Sequence, residues 1–270
     1  MQSSSNKIVK SIFKSIEEFN IIEKIGSGGY SVVYLVQHKK TGRKYALKCA
    51  DRFKKGKDRS ERTYMEIKVL EKLKHKNIIR MKGWFEDKTT IYLVLEYIPG
   101  KDCSKFFKST LPSKKEIKYV MRQLVEAINY VHKKNIAHRD IKLENILIDE
   151  DFNIKLTDFG LCGVKKNKYD MFDTTLGTVR YTAPELLEGS YNESIDIWGI
   201  GVILFMLLTG SFPFDGSSKA KIFLRIKEKK LHYSKYNLER KDIKLLKALL
   251  EKDPADRIEI EDILNDPFFL

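Results

Sequence analysis

The sequence predicts an α+β fold in two lobes, a small strand-rich one followed by a larger helical one. Three observations carry this. The 270 residues are 42% hydrophobic and 33% charged, which suits a chain with a sizeable buried core and not a disordered tail. Between Phe19 and Ile98 the apolar residues come in short β-branched or aromatic runs, split by glycine or polar turns. After Pro99-Gly100 the apolar spacing lengthens to three and four, the period of helices.

The elements follow in order. Residues 1–18 form an N-terminal extension in which Ile8, Val9, Ile12, Phe13 and Ile16 recur at helical spacing, with Lys7, Lys10 and Lys14 between them. That spacing predicts an amphipathic helix docked on the body, with a helix on a membrane surface as the alternative. The small lobe, 19–98, has strands at Ile21–Ile25, Val32–Gln37, Lys44–Cys49 and Ile91–Glu96. One helix, Arg62 to Leu73, interrupts them, with Ile67, Leu70 and Leu73 three apart. The large lobe, 99–270, has helices at Ile117–His132, Ile195–Leu208, Lys219–Lys230 and Ile243–Leu250. Short strands at Ile146–Ile148 and Ile154–Leu156 lie between the first two of these.

Composition narrows the function. Lys and Arg exceed Asp and Glu by 14 charges, so anionic partners are favoured. The basic runs, such as Lys165-Lys166-Asn167-Lys168, lack the interleaved aromatics of single-strand nucleic-acid binders, and solvated faces are the expectation there. No nucleic-acid partner is therefore expected. Cys49, Cys103 and Cys162 are too few and too scattered for a disulfide framework or a zinc site, which points to a reducing, cytoplasmic setting, the nucleus included. Residues Met1–Ser5 carry no apolar leader core. The longest apolar run, Ile197 to Leu208, is short of the roughly 20 residues a bilayer span needs. Membrane-spanning, collagenous and disulfide-stapled classes are excluded.

Six motifs carry chemistry. Gly26-Ser27-Gly28-Gly29 lies between two strands, where absent Cβ atoms let backbone N–H groups approach phosphates. Alone it reads better as an ordinary hairpin turn. Lys48 ends an apolar strand, and Glu66 lies one helical turn from Leu70, so it can point inward and pair with the lysine. His138-Arg139-Asp140-Ile141-Lys142-Leu143-Glu144-Asn145 packs Asp, Lys and Asn within six residues. Asp158-Phe159-Gly160 follows by a strand-turn-strand interval, which would let Asn145 and Asp158 serve one metal-bound triphosphate. Gly177-Thr178-Val179-Arg180-Tyr181-Thr182-Ala183-Pro184-Glu185 is the fifth motif. Asp196 opens the sixth, where it reads as a helix N-cap or as an anchor. Arg257 reads as a surface charge or as a buried partner of Glu185.

Together, in this order and at these intervals, the motifs resemble the eukaryotic protein kinase catalytic domain over residues 19 to 270. The resemblance implies a bilobal protein-kinase-like fold. It implies a non-specific serine/threonine protein kinase that moves the γ-phosphate of ATP, with Mg²⁺, to protein hydroxyls. Lys142 and Thr178 resemble the serine/threonine branch. The region after Gly201 is most similar to the calmodulin-dependent and AMP-activated kinase group.

The same resemblance assigns roles. Gly26, Ser27, Gly28, Gly29 and Val33 would cover the nucleotide. Ala46 and Leu147 would flank adenine, with Leu95 as gatekeeper, Glu96 to Ile98 as hinge and Asp102 near the ribose. Lys48 would bind phosphates, braced by Glu66. Asn145 and Asp158 would hold Mg²⁺. Lys142 would meet the γ-phosphate, and Asp140 would orient the acceptor hydroxyl. Thr174 matches an activating phosphosite, which implies an upstream activating kinase as partner and Arg139 as the phosphate's receptor. Leu70, Met81, His138 and Phe159 would form a packed column anchored by Asp196. Ser31 departs from the family's third loop glycine. Glu144 and Asp102 match positions that attract basic substrate residues, while the lysines of the activation segment would favour acidic substrates. A nucleotide-binding scaffold without activity and a basic anion-binding module are the competing classes. The first is disfavoured because Lys48, Glu66, Asp140, Asn145 and Asp158 are all present.

Overall fold

The computed structural model describes residues 12–28, 31–54, 57–167, 170–172 and 178–270. The chain divides into two units, Met1–Lys72 with Ile79–Ile98, and Leu73–Ile78 with Pro99–Leu270. The break at 98/99 coincides with the change in apolar period. The return of 73–78 to the second unit was not legible from that period.

The first unit is a five-stranded antiparallel sheet with one helix. Its strands are β1 (Phe19–Ser27), β2 (Ser31–His38), β3 (Lys44–Asp51), β6 (Met81–Glu86) and β7 (Thr90–Glu96), in the spatial order β1-β2-β3-β7-β6. A small hairpin, β4 (Phe53–Lys54) with β5 (Lys57–Asp58), precedes helix α1 (Ser60–Lys72). Alternation along β3 puts Tyr45, Leu47 and Cys49 on one face. That face packs with Phe13, Phe19, Val36, Phe85, Tyr92 and Val94 into an aromatic-rich core. Phe85 and Tyr92 stack with centroids 4.7 Å apart.

The extension is not one continuous helix through residue 18. Its described part makes a single 3₁₀ turn, Ile16–Glu18, behind the N-cap Ser15. Ser15 accepts from Glu17 N–H at 3.2 Å, and the Glu18 carboxylate accepts from Ser15 N–H at 3.1 Å. At Phe19 the backbone is already paired into β1, so the turn has no room to propagate. Phe13 is 4% exposed and anchors the segment, whereas Ile12 is 74% exposed. The part of the expected helix over 1–11 lies outside the described residues.

The second unit is built around two long helices, α3 (Lys114–His132) and α4 (Ser194–Thr209). A reciprocal capping box starts α3: Ser113 accepts from Glu116 N–H at 3.3 Å, and Glu116 accepts from Ser113 N–H at 2.6 Å. Helix α4 is apolar on every side and buried from Ser194 to Phe205, as a central core helix must be. It ends at Gly210, whose φ of 70° supplies the left-handed cap. Helices α2 (Cys103–Ser109), α5 (Lys219–Glu228) and α6 (Arg240–Leu249) are the other α-helices among the described residues of this unit. Short strands β8 (Lys101–Asp102), β10 (Ile146–Ile148) and β11 (Ile154–Leu156) form one small sheet, in the order β11-β10-β8. Strands β9 (Ile136–Ala137) and β12 (Gly163–Val164) form another. The described helices include none long and apolar enough to cross a membrane.

Two expectations are corrected here. Lys165 is not solvated: it is 6% exposed, and its Nζ lies 2.7 Å from the Glu193 carboxylate. Of the two readings left open for Asp196 the helix cap falls away, because α4 begins two residues before it and Glu193 stands at the cap.

Candidate active site

Residues directly opposite across antiparallel strands share a sheet face. The register pairs Gly26 with Val33, Val33 with Lys48, Lys48 with Leu93 and Ala46 with Leu95. Gly26, Val33, Ala46, Lys48 and Leu95 therefore lie on one face, opposite the aromatic core. Gly28 N–H donates to Ser31 O at 2.8 Å and closes the loop turn. Ser27 ends β1 in an exposed position, and Gly29 lies outside the described residues. Lys48 Nζ meets both Glu66 oxygens, at 2.7 and 2.8 Å. Glu66 is 2% exposed, so its charge needs this lysine. Glu96 binds the Arg80 backbone in both senses, donating its N–H to Arg80 O and accepting Arg80 N–H on Oε1, each at 2.9 Å. Ile98 is half-buried at the end of the unit.

The second unit gathers its candidate residues around Asp140, which is 7% exposed. Lys142 Nζ donates to Asp140 Oδ2 at 2.6 Å and to Thr178 Oγ1 at 2.9 Å. Thr178 Oγ1 donates in turn to Asp140 Oδ1 at 3.3 Å. Asn145 Nδ2 donates to the Asp140 carbonyl at 2.9 Å and to its Oδ2 at 3.0 Å. Asp140 thus faces a cation, a hydroxyl and an amide, an acceptor held for one more proton donor. The bridging role of Thr178 was not foreseen. The only sequence signal for it is its place in the Gly177-to-Glu185 block.

Asp196 holds this loop from below. Its Oδ2 accepts His138 N–H at 2.8 Å and faces His132 Nε2 at 2.9 Å, and its Oδ1 accepts Arg139 N–H at 2.8 Å. Burial pushes the Asp196 carboxyl up, but the His132 and His138 bonds and charges outweigh it and hold it below the ordinary value. Arg139 sits at φ 66°, a left-handed backbone unusual for a side chain this large. The two Asp196 bonds maintain it. Helix α4 comes close enough to do this because position 199 is glycine: a Cβ there would lie 2.8 Å from Ile141 Cβ.

The Arg139 guanidinium is already engaged. It donates to Leu161 O at 2.7 Å, to Cys162 O at 3.1 Å and to Tyr191 Oη at 3.3 Å, and it lies 4.8 Å over the Phe172 ring. Thr174, the expected phosphosite, lies outside the described residues. His138 and Phe159 pack edge to face at 4.7 Å, the part of the expected column that falls in this unit. Arg257 is the buried partner of Glu185, with bonds of 2.5 and 2.9 Å. Leu147 pairs with Asp102 in the small sheet. The Asp102 side chain caps α2 by accepting Lys105 N–H at 2.9 Å and pairs with Lys105 Nζ at 2.9 Å.

The donor set suits magnesium. Asn145 spends its amide nitrogen on Asp140, which would leave the amide oxygen to face a cation. The Asn145 carbonyl accepts Thr157 N–H at 2.8 Å and Thr157 Oγ1 at 3.0 Å, which ties Asn145 to the residue preceding Asp158. No cluster of three or more His, Cys, Asp or Glu able to hold a metal occurs among the described residues. Asn145 and Asp158 would offer one or two protein oxygens to Mg²⁺, with phosphates and water to complete its shell.

Comparison with known proteins places the chain in a family. The family model described as "Protein kinase domain" matches residues 19–269. Maternal embryonic leucine zipper kinase of Danio rerio is 35% identical over 268 residues, which cover 97% of this chain and 39% of the relative. The protein of the same name from Xenopus laevis is 35% identical over 260 residues, 94% of this chain and 40% of the relative. The chain spans about two fifths of the length of these relatives.

Proposed function

The chain belongs to the protein kinase domain family, and from that premise we propose that it transfers the γ-phosphate of Mg-ATP to serine and threonine hydroxyls of proteins. The observation that carries the reading is the Asp140–Lys142–Thr178–Asn145 cluster, a buried carboxylate with three donors arranged around it. Phosphoryl transfer needs positioning and charge stabilisation more than covalent help. Asp140 orients the acceptor hydroxyl and takes its proton as the bond to phosphorus forms. Lys142, on the same carboxylate, supplies positive charge for the moving group. Lys48 gives its charge to the nucleotide phosphates, and Glu66 keeps its ammonium in one position. Asn145 and Asp158 would hold the metal, which when bound would neutralise phosphate charge. Gly26, Ser27, Gly28, Gly29 and Val33 cover the nucleotide, Ala46, Leu95, Glu96, Ile98 and Leu147 receive the base, and Asp102 lies near the ribose.

Phosphorylation of Thr174 by an upstream kinase raises this activity in our reading. The added phosphate would compete with Leu161 O, Cys162 O and Tyr191 for the Arg139 donors. Thr174→Ala should lower turnover relative to the fully phosphorylated enzyme, and equal turnover overturns this part.

The test of the main reading is a reaction with γ-labelled ATP, magnesium and a mixture of protein substrates, followed by acid hydrolysis of the products. Phosphoserine and phosphothreonine should carry the label, and a chelator should abolish it. Labelled phosphotyrosine alone, or no labelled amino acid, overturns the reading.

A further inference from the structure

The 3₁₀ turn Val179–Tyr181 follows directly on Thr178, whose hydroxyl lies 3.3 Å from Asp140. A substrate hydroxyl that reaches Asp140 therefore brings its flanking residues past this turn. At its centre stands Arg180. Its guanidinium lies 4.9 Å over the Phe212 ring, which fixes its plane. Its Nε and Nη2 both approach Asp215 Oδ1 at 3.0 Å.

That ion pair is half in water, with side chains 45% and 51% exposed. Exposed pairs of this kind hold weakly, so Arg180 can exchange Asp215 for an incoming carboxylate. Asp215 is well provided for without it. The Gly216 N–H bond is the largest influence holding its carboxyl below the usual range, ahead of Arg180 and Arg225. Arg225 also donates to the Asp215 backbone carbonyl.

The surrounding surface has the same sign. Helix α5 packs against the turn and carries Lys219, Lys221, Arg225 and Lys227 against one acid, Glu228. Glu188 lies nearby but faces Lys227 at 3.9 Å. Of the two acids expected to attract basic substrates, Asp102 is taken by Lys105 and by the α2 cap. Glu144 stays exposed beside Tyr181, whose phenol it helps, after burial, to push up.

We propose that Arg180 is a specificity residue that selects acceptor sites flanked by aspartate or glutamate. This rests on the phosphotransfer reading and names its substrate class. Charge-assisted bonds to a guanidinium are among the stronger polar contacts, and about a tenfold preference in kcat/KM for an acidic over a basic flank follows from their usual strength.

The experiment uses γ-labelled ATP and serine peptides that differ only in the residues flanking the acceptor, with Asp, Ala or Lys at each place. The wild-type protein should prefer Asp at one flanking place, through KM, and the preference should shrink as salt is raised. Arg180→Glu should reverse the order toward Lys, and Arg180→Gln should level it. Equal use of all flanks by the wild type, or the same Asp preference in Arg180→Glu, overturns the inference and leaves phosphotransfer standing. A wild-type protein that labels no peptide and no protein mixture overturns both.

Discussion

Thr178 is the smallest member of the Asp140 cluster, and its hydroxyl touches both the carboxylate and Lys142. Thr178→Val keeps the shape and removes those two bonds. Turnover should fall about tenfold, the worth of one charge-assisted hydrogen bond, while the KM for ATP stays near the wild-type value. A fall in both would mean that the hydroxyl serves binding. Cys49 makes a second prediction at this scale. Burial first, then Asp51 and Asp87, push its thiol up to about 11. At pH 8 about one thousandth of it is thiolate. Alkylation of the native protein at Cys49 should be slow and should accelerate on unfolding, as mass spectrometry would report. The residues around Asp140 were legible because Asp, Lys and Asn recur at fixed short intervals. The Tyr191 and Phe172 contacts to Arg139 were not. They come from chain segments 33 or more residues away, at no recognisable interval.

Helix α4 and the loop it carries depend on Asp196. Its carboxyl is held low in the folded protein. Its contribution to stability is therefore present above the unfolded carboxylate value and is lost as pH falls through the lower folded value. Asp196→Asn puts an amide N–H where a carboxylate oxygen accepts backbone N–H groups. It should cost about 3 kcal/mol at neutral pH and flatten the acid limb of a denaturant-midpoint titration. An unchanged acid limb would show that other carboxylates set it. Arg257 and Glu185 give a contrasting pair. Arg257→Met alone strands a buried charge and should cost about 3–5 kcal/mol. The double change with Glu185→Met should recover most of that loss in denaturant unfolding. Asp196 reads as a cap in sequence because an acid near the start of an apolar run is the default N-terminal signal. Strand β6 was hidden for a related reason: Lys82 and Gly83 interrupt the alternation that reveals strands.

The architecture of the whole molecule was readable where period decides it. The long apolar helix α4 and the β-branched runs of β2, β3 and β7 announce themselves. Contacts set by close approach, such as Gly199 against Ile141, have no period and no motif of their own. The two units also predict separable responses. Phe13→Ala empties a position in the aromatic core of the first unit and should cost about 3–5 kcal/mol there. Amides of β1, β2 and β3 should then exchange faster with solvent, while those of α3 and α4 keep their protection. Loss of protection in α3 would show that the extension supports more than its own sheet. In the proposed function the carboxylate of Asp140 drives phosphate transfer to an alcohol. Its most direct measurement is the single-turnover rate of label transfer from ATP to a serine peptide, wild type against Asp140→Asn, with nucleotide affinity measured on both. A fall in rate of about 10²–10⁴ at unchanged nucleotide affinity is expected. Equal rates in the two proteins would contradict it.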